Sequence, residues 1–161
     1  MEPWRQVFRD GIVPQLSLAG LEALRGALVR DDWRLRQGQT LSVIGGFRVH
    51  QACAIAFAGW QGARLERAAD VERFFWHVGS QANEALGDPG AFDRFVAWFD
   101  GSPRHLVLPL LLAEVNRAIA ERTDRSTGED AHQPEPAAAR LDKVTQAVVI
   151  RAVPDRVPVL P

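Results

Sequence analysis

Apolar residues recur at helical spacing through much of this chain, most clearly from residue 70 to residue 100. Val71, Phe74, Phe75, Val78, Ala82 and Ala85 fall at i, i+3, i+4, i+7, i+11 and i+14, one face of an α-helix. Asp70 is placed to cap that helix and Gly87 to end it. Asp88 and Pro89 then supply a second cap and first position, and Phe92, Phe95, Val96 and Phe99 form a second stripe. So short a connection between two amphipathic helices predicts antiparallel neighbours. This aromatic pair is expected to be the wall on which the other helices pack.

Upstream, Trp4, Val7 and Phe8 predict a short helix over residues 2–9, stopped by Gly11, with residues 12–16 as a connector. Ser17 opens a second helix whose face carries Leu18, Leu21, Leu24 and Leu28. Gly20 and Gly26 weaken it by roughly 1 kcal/mol each relative to alanine, a loss that close approach by a neighbour would offset. Asp31 and Asp32 oppose the dipole at its end, and Arg30, Arg34 and Arg36 are placed to counter them. Residues 37–49 fit either a small hairpin turning at Gly45-Gly46 or an ordered loop across the helices. Residues 50–60 read as a buried helix, because alanine dominates and Cys53, Phe57 and Trp60 recur at i, i+4, i+7; Gly62 suits its C-terminal cap.

Downstream, Ser102-Pro103 again signals a helix start, for a helix reaching about Arg122 with Leu108, Leu111, Leu112, Val115 and Ile119 as its buried face. A proline inside a helix removes a donor and crowds the preceding turn, so either the helix kinks at Pro109 or one turn precedes a main helix whose first position is Pro109, the second being the expected form. The fold class is therefore all-α: a bundle of five or six short helices over residues 1–122, with an irregular or hairpin-like insertion at 37–49. Residues 123–139 read as an acidic, proline-containing linker. Residues 140–161 form a C-terminal segment, a strand or short helix followed by an extended end carrying Pro154, Pro158 and Pro161.

Composition narrows the function classes. The formal net charge of −1 exerts no global pull toward nucleic acid or anionic lipid. Basic charge comes from eighteen arginines and Lys143, and in residues 1–36 six arginines face five acids, which disfavours a nucleic-acid surface. A single cysteine, Cys53, excludes an internal disulfide and a cysteine-rich zinc site. The N-terminus has no signal-peptide pattern and no apolar run approaches the roughly 20 residues of a membrane span, so a cytoplasmic location is expected.

Candidate chemistry is sparse. His50 and Cys53, at i, i+3 on the expected helix, could pair as base and thiolate nucleophile; the alternative is a buried cysteine beside an unrelated histidine. His77, His105 and His132, with Glu72 or Asp70, lack the local spacing of a helical zinc site, so no metal or cofactor is expected. The glycines of residues 37–47 match neither phosphate-binding loop, and no nucleophile-elbow motif is present. Trp76 and Trp98 fall beside the apolar stripes and, with Arg73 and Arg94, are the interface candidates, since tryptophan and arginine are enriched at protein contacts. The tail offers a second candidate, as a tethered docking peptide or a segment folding back on the body.

The strings WRQVFRDGIVPQLSLAGLEAL, AFAGWQG, FDGSPR and LLLAEVNRAIA, within residues 4–122, resemble short bacterial helical proteins of no assigned function. The resemblance implies an accessory protein and carries over no site, cofactor or reaction. Three functions are thus open. The first is a non-enzymatic module that binds another protein or itself. The second is an enzyme with a cleft near His50, Cys53, His77 and Asp100, and the third is nucleic-acid binding through surface arginines.

Overall fold

Ser17 leaves the helical conformation and its hydroxyl accepts the Gly20 backbone N–H at 3.0 Å. That contact satisfies one of the amide donors with no partner inside a helix, and α2 (Leu18–Val29) follows from it as expected. The computed structural model describes residues 2–130, and this part is mostly helical, with six helices and one two-stranded sheet. Residues 131–161, including His132 and the C-terminal segment, lie outside the described residues. Among those described, no helix is long and apolar enough to cross a membrane.

The first helix differs from expectation at Gly11. After α1 (Pro3–Gln6) the chain winds on through a π-turn, Val7–Ile12, and a 3-10 turn, Val13–Gln15. Packing explains the difference. Trp4, Val7, Phe8, Gly11 and Ile12 are all buried, and a Cβ on Gly11 would sit 3.0 Å from that of Ala82. The residue read as a stop is where this turn lies against Ala82 and Leu86.

Residues 37–49 resolve in favour of the hairpin. β1 (Leu41–Ile44) pairs antiparallel with β2 (Arg48–Ala52) around Gly45 and Gly46, both at positive φ (+64° and +82°) that side chains other than glycine adopt at a cost. Register shifts between Ser42 and Val43, which leaves His50 as an extra residue on β2, a β-bulge. His50 and Gln51 therefore belong to a strand, not to the helix read from the alanines. Backbone pairing decides this: Arg36 N–H donates to the Ala52 carbonyl, Ala52 N–H to Arg34, and Cys53 N–H to Thr40, each at 2.9 Å.

Helix α3 (Ala54–Phe57) begins only after Cys53 and widens into a π-turn, Ala58–Gly62. Gly62 is not its cap; Ala63 is. Instead a Cβ on Gly62 would fall 2.2 Å from Gly20 Cα, so two backbones cross here at a distance only glycine allows.

The aromatic pair forms as α4 (Ala68–Leu86) and α5 (Ala91–Gly101), with Gly87 in the left-handed conformation between them. Arg67 precedes α4 where Asp70 was expected to cap, and the residues 88–90 turn before α5 where Asp88 was expected to do so; the Asp88 carboxylate still accepts the Gly90 N–H at 2.9 Å. Val71, Phe75, Val78, Ala82, Phe92, Phe95 and Phe99 are buried as the stripes imply, whereas Phe74 and Val96 are half-buried and Ala85 is exposed.

Helix α6 (Arg104–Asp130) does not wait for Pro109, which lies inside it. The proline sits on the exposed face, so the His105 carbonyl it leaves without an intrahelical donor faces the solvent side. α6 also continues to Asp130, through the first eight residues assigned by composition to the linker. Arg122 donates to the Leu16 and Val13 carbonyls and fastens it to the 3-10 turn. One hydrophobic cluster takes buried residues from all six helices and β2, with Val13 of the 3-10 turn and Leu41 of β1 half-buried against it.

Candidate functional site

The structure separates the residues grouped by sequence. Cys53 is buried, and burial pushes its thiol up to about 12, against the opposing pull of the Ala56 and Ile55 backbone N–H groups at the start of α3. A thiol so placed is not ionised near neutral pH and is not a nucleophile. His50 stands on the bulge with its ring against Trp33, centroids 4.8 Å apart. The i, i+3 argument that joined it to Cys53 fails because the backbone between them is a strand. His77 and His105 are exposed on α4 and α6. Asp100 accepts the Gly38 N–H at 2.8 Å and serves the loop before β1. Among the described residues no group of three His, Cys, Asp or Glu side chains could hold a metal ion.

Trp76 and Trp98 do not form an exposed pair. Trp98 stacks on Trp4, centroids 3.6 Å apart and planes 4° from parallel, and joins the core around Phe95. Sequence periodicity could not show that α1 covers this side of α5. Trp76 is 65% exposed, as its place off the stripe implied. Arg73 pairs with Asp70 at 3.2 Å, and Arg94 pairs with Asp88, whose carboxyl it holds below the usual carboxylate range.

A different surface gathers around Trp76. The hairpin tip rests on the start of α4: Ala68 N–H donates to the Phe47 carbonyl at 3.0 Å, and Arg48 bridges Arg67. This leaves Phe47 60% exposed over a groove of about 580 Å³ lined by Gly46, Phe47, Arg67, Ala68, Ala69 and Glu72. Val43 and Ile44 are also exposed. Ala69, Glu72 and Trp76 follow one another at i, i+3, i+7 and so share a helix face. Arg48, Arg67, Glu66 and Glu72 have no ion-pair partner among the described residues. The sequence signal for Phe47 was available. An apolar residue directly after two glycines at a hairpin turn is held at the tip, where little can cover it.

The two edges of the sheet differ. The outer edge of β2 is taken at both ends, by Leu35 at Ala52 and by Arg67 at Arg48. β1 pairs only with β2 among the described residues, and its sequence, Leu-Ser-Val-Ile, has no charge or proline to protect the other edge.

No protein-family model, curated protein or solved structure matches this chain.

Proposed function

We propose that this chain is a non-enzymatic interaction module that takes an extended apolar segment of a partner protein along the free edge of β1. The observation that carries this reading is the coincidence of an uncharged strand edge, unpaired among the described residues, with exposed apolar side chains. Val43 and Ile44 belong to that strand, and Phe47 stays exposed at the hairpin tip, over a groove along the start of α4. An added strand gains main-chain hydrogen bonds from the edge and specificity from alternate side chains set against Val43 and Ile44. The free charges at the rim, Arg67 and Glu72, suit the polar border of such a contact.

The test is selection of peptides from a displayed random library, with solution mass measured in parallel. Enriched peptides should alternate apolar and polar residues and lose binding to a Val43→Lys/Ile44→Lys double variant that melts like the parent. A doubled solution mass that the same variant reverts to monomer identifies the segment as a second copy of β1. Failure to enrich any peptide in a strict monomer, or peptides that bind the double variant equally well, would sink the reading.

A further inference from the structure

A second surface, on the opposite edge of the hairpin, presents an exposed tryptophan on a loop held unusually firmly. Trp33 is 57% exposed between α2 and β1. Around it, Arg104 donates Nη1 to the Leu35 carbonyl at 2.8 Å and Nη2 to the Asp32 carbonyl at 3.3 Å. Gln51 Nε2 donates to the Trp33 carbonyl at 3.3 Å. Gln37 Nε2 donates to the Ser102 carbonyl at 2.9 Å and to that of Phe99. Asp31 is held at φ +47°, a conformation non-glycine residues avoid unless their surroundings enforce it. An aromatic ring left to solvent on a loop whose backbone is braced in this way is a stacking platform, since little backbone freedom remains to be lost on binding.

The charges around the ring are not balanced, although the sequence made them look so. Asp31 is consumed by Arg104, whose Nε and Nη2 lie 2.9 and 2.6 Å from its Oδ1. Asp32 is consumed by Arg34, with Nη2 at 2.7 Å and the Arg34 backbone N–H at 3.0 Å. Arg34 holds the Asp32 carboxyl below its ordinary value. Two clefts share Trp33 as a wall, one of about 420 Å³ that also carries Arg36 and Arg104, the other of about 510 Å³ that also carries Arg30 and Arg34. Across both, four arginines meet two aspartates, an excess of two positive charges. The two left over are Arg30 and Arg36, which form no ion pair among the described residues and line one cleft each. His50 adds a second ring against Trp33.

We propose that this loop binds a nucleotide unit, with Trp33 stacking the base and Arg30 and Arg36 taking the flanking phosphates, as one step along a single strand of nucleic acid. A flat ring shared by two clefts, each with one arginine outside an ion pair, matches a base flanked by phosphates, and stacking of this kind tolerates any base sequence. A polyproline peptide would use the ring and leave both arginines without a role. Duplex nucleic acid would use the arginines and leave the ring without one.

The experiment titrates the full chain into a fluorescein-labelled short oligothymidylate at low ionic strength and follows anisotropy across a salt series. Saturable binding is expected, with log K falling against log salt at a slope of about −1.4, the value for two single-strand phosphates. Trp33→Ala should weaken binding by tenfold or more, and Arg30→Gln/Arg36→Gln should weaken it and flatten the slope. Val43→Lys/Ile44→Lys should leave it unchanged, which separates this site from the strand edge. Competition by free thymidine monophosphate at the same variants assigns the site to the nucleotide itself; competition only by longer strands assigns it to the polymer. No saturable binding, or equal binding by a folded Trp33→Ala variant, overturns the proposal. Each variant is checked by thermal melt, and Trp33→Phe, which keeps a ring, should retain most of the affinity.

Discussion

Arg9 and Glu114, separated by 105 residues, are joined by two hydrogen bonds: Nε to Oε2 at 2.6 Å and Nη2 to Oε1 at 2.8 Å. Glu114 is the one buried charged residue of the described core, 5% exposed, and Arg117 and Arg5 also face its carboxylate, at 3.3 and 3.6 Å. The cluster fastens the first turns of the chain to α6. Removing one partner of a buried pair leaves the others uncompensated. Each arginine is about one-third exposed, which lets water relieve part of that penalty. Glu114→Ala should therefore lower unfolding stability by roughly 2 kcal/mol in urea titration.

The same carboxylate sets an acid limit. Its hydrogen bonds from Arg9, opposed by burial, hold its folded pKa below the ordinary 4.5. A depressed folded pKa means stability that is complete above the unfolded value and is lost as pH falls through the folded one. Stability measured from pH 6 downward should thus fall more steeply in the parent than in Glu114→Gln. Parallel curves below about pH 4.5 would remove Glu114 from the acid transition.

Trp98 and Trp76 should behave in opposite ways. Trp98→Ala deletes the stacked pair with Trp4 and opens a void beside Phe95, and should cost about 2–4 kcal/mol. Trp76→Ala removes a ring that is mostly in water and should change stability by no more than about 0.5 kcal/mol. Chemical denaturation of the two variants measures both.

Gly62→Ala should destabilise by about 3 kcal/mol or prevent folding, because its Cβ meets backbone of α2, which cannot rotate away. Gly45→Ala, whose Cβ would meet nothing within 4 Å, is strained only by its φ of +64° and should cost about 1 kcal/mol. A melt of each distinguishes crowding from backbone strain.

Cys53 should resist a thiol-reactive chromogenic disulfide until denaturant is added, since burial keeps it protonated and out of reach. Rapid labelling of the native chain at pH 7 would contradict this and reopen thiol chemistry.

Periodicity located α2, α4 and α5, because in each the apolar spacing and the final packing agree, although of the end signals only Ser17 and Gly87 stand where they were expected. It failed where tertiary contacts outweighed local signals. Gly11 lies in a buried π-turn, and Pro109 is tolerated on the solvent side of a long helix. The alanines around Cys53 hid the point where strand gives way to helix, which the partners of Ala52 decide. At the candidate sites, Trp76 was legible from its place off the stripe. Trp98 was not, because its cover, Trp4, comes from the far end of the chain. Trp33 and its arginines were hidden by simple charge counting, which cannot tell that Asp31 and Asp32 are occupied by Arg104 and Arg34.

The bridges of Leu35 and Arg67 to β2 also set a limit on growth. A sheet that propagates must offer an edge on each side, one to receive and one to extend. Here one side is closed by the chain itself, so each molecule can gain a single strand. Pairing of β1 with a partner, or with β1 of a second copy, ends the sheet at that step and yields a finite complex instead of a fibre.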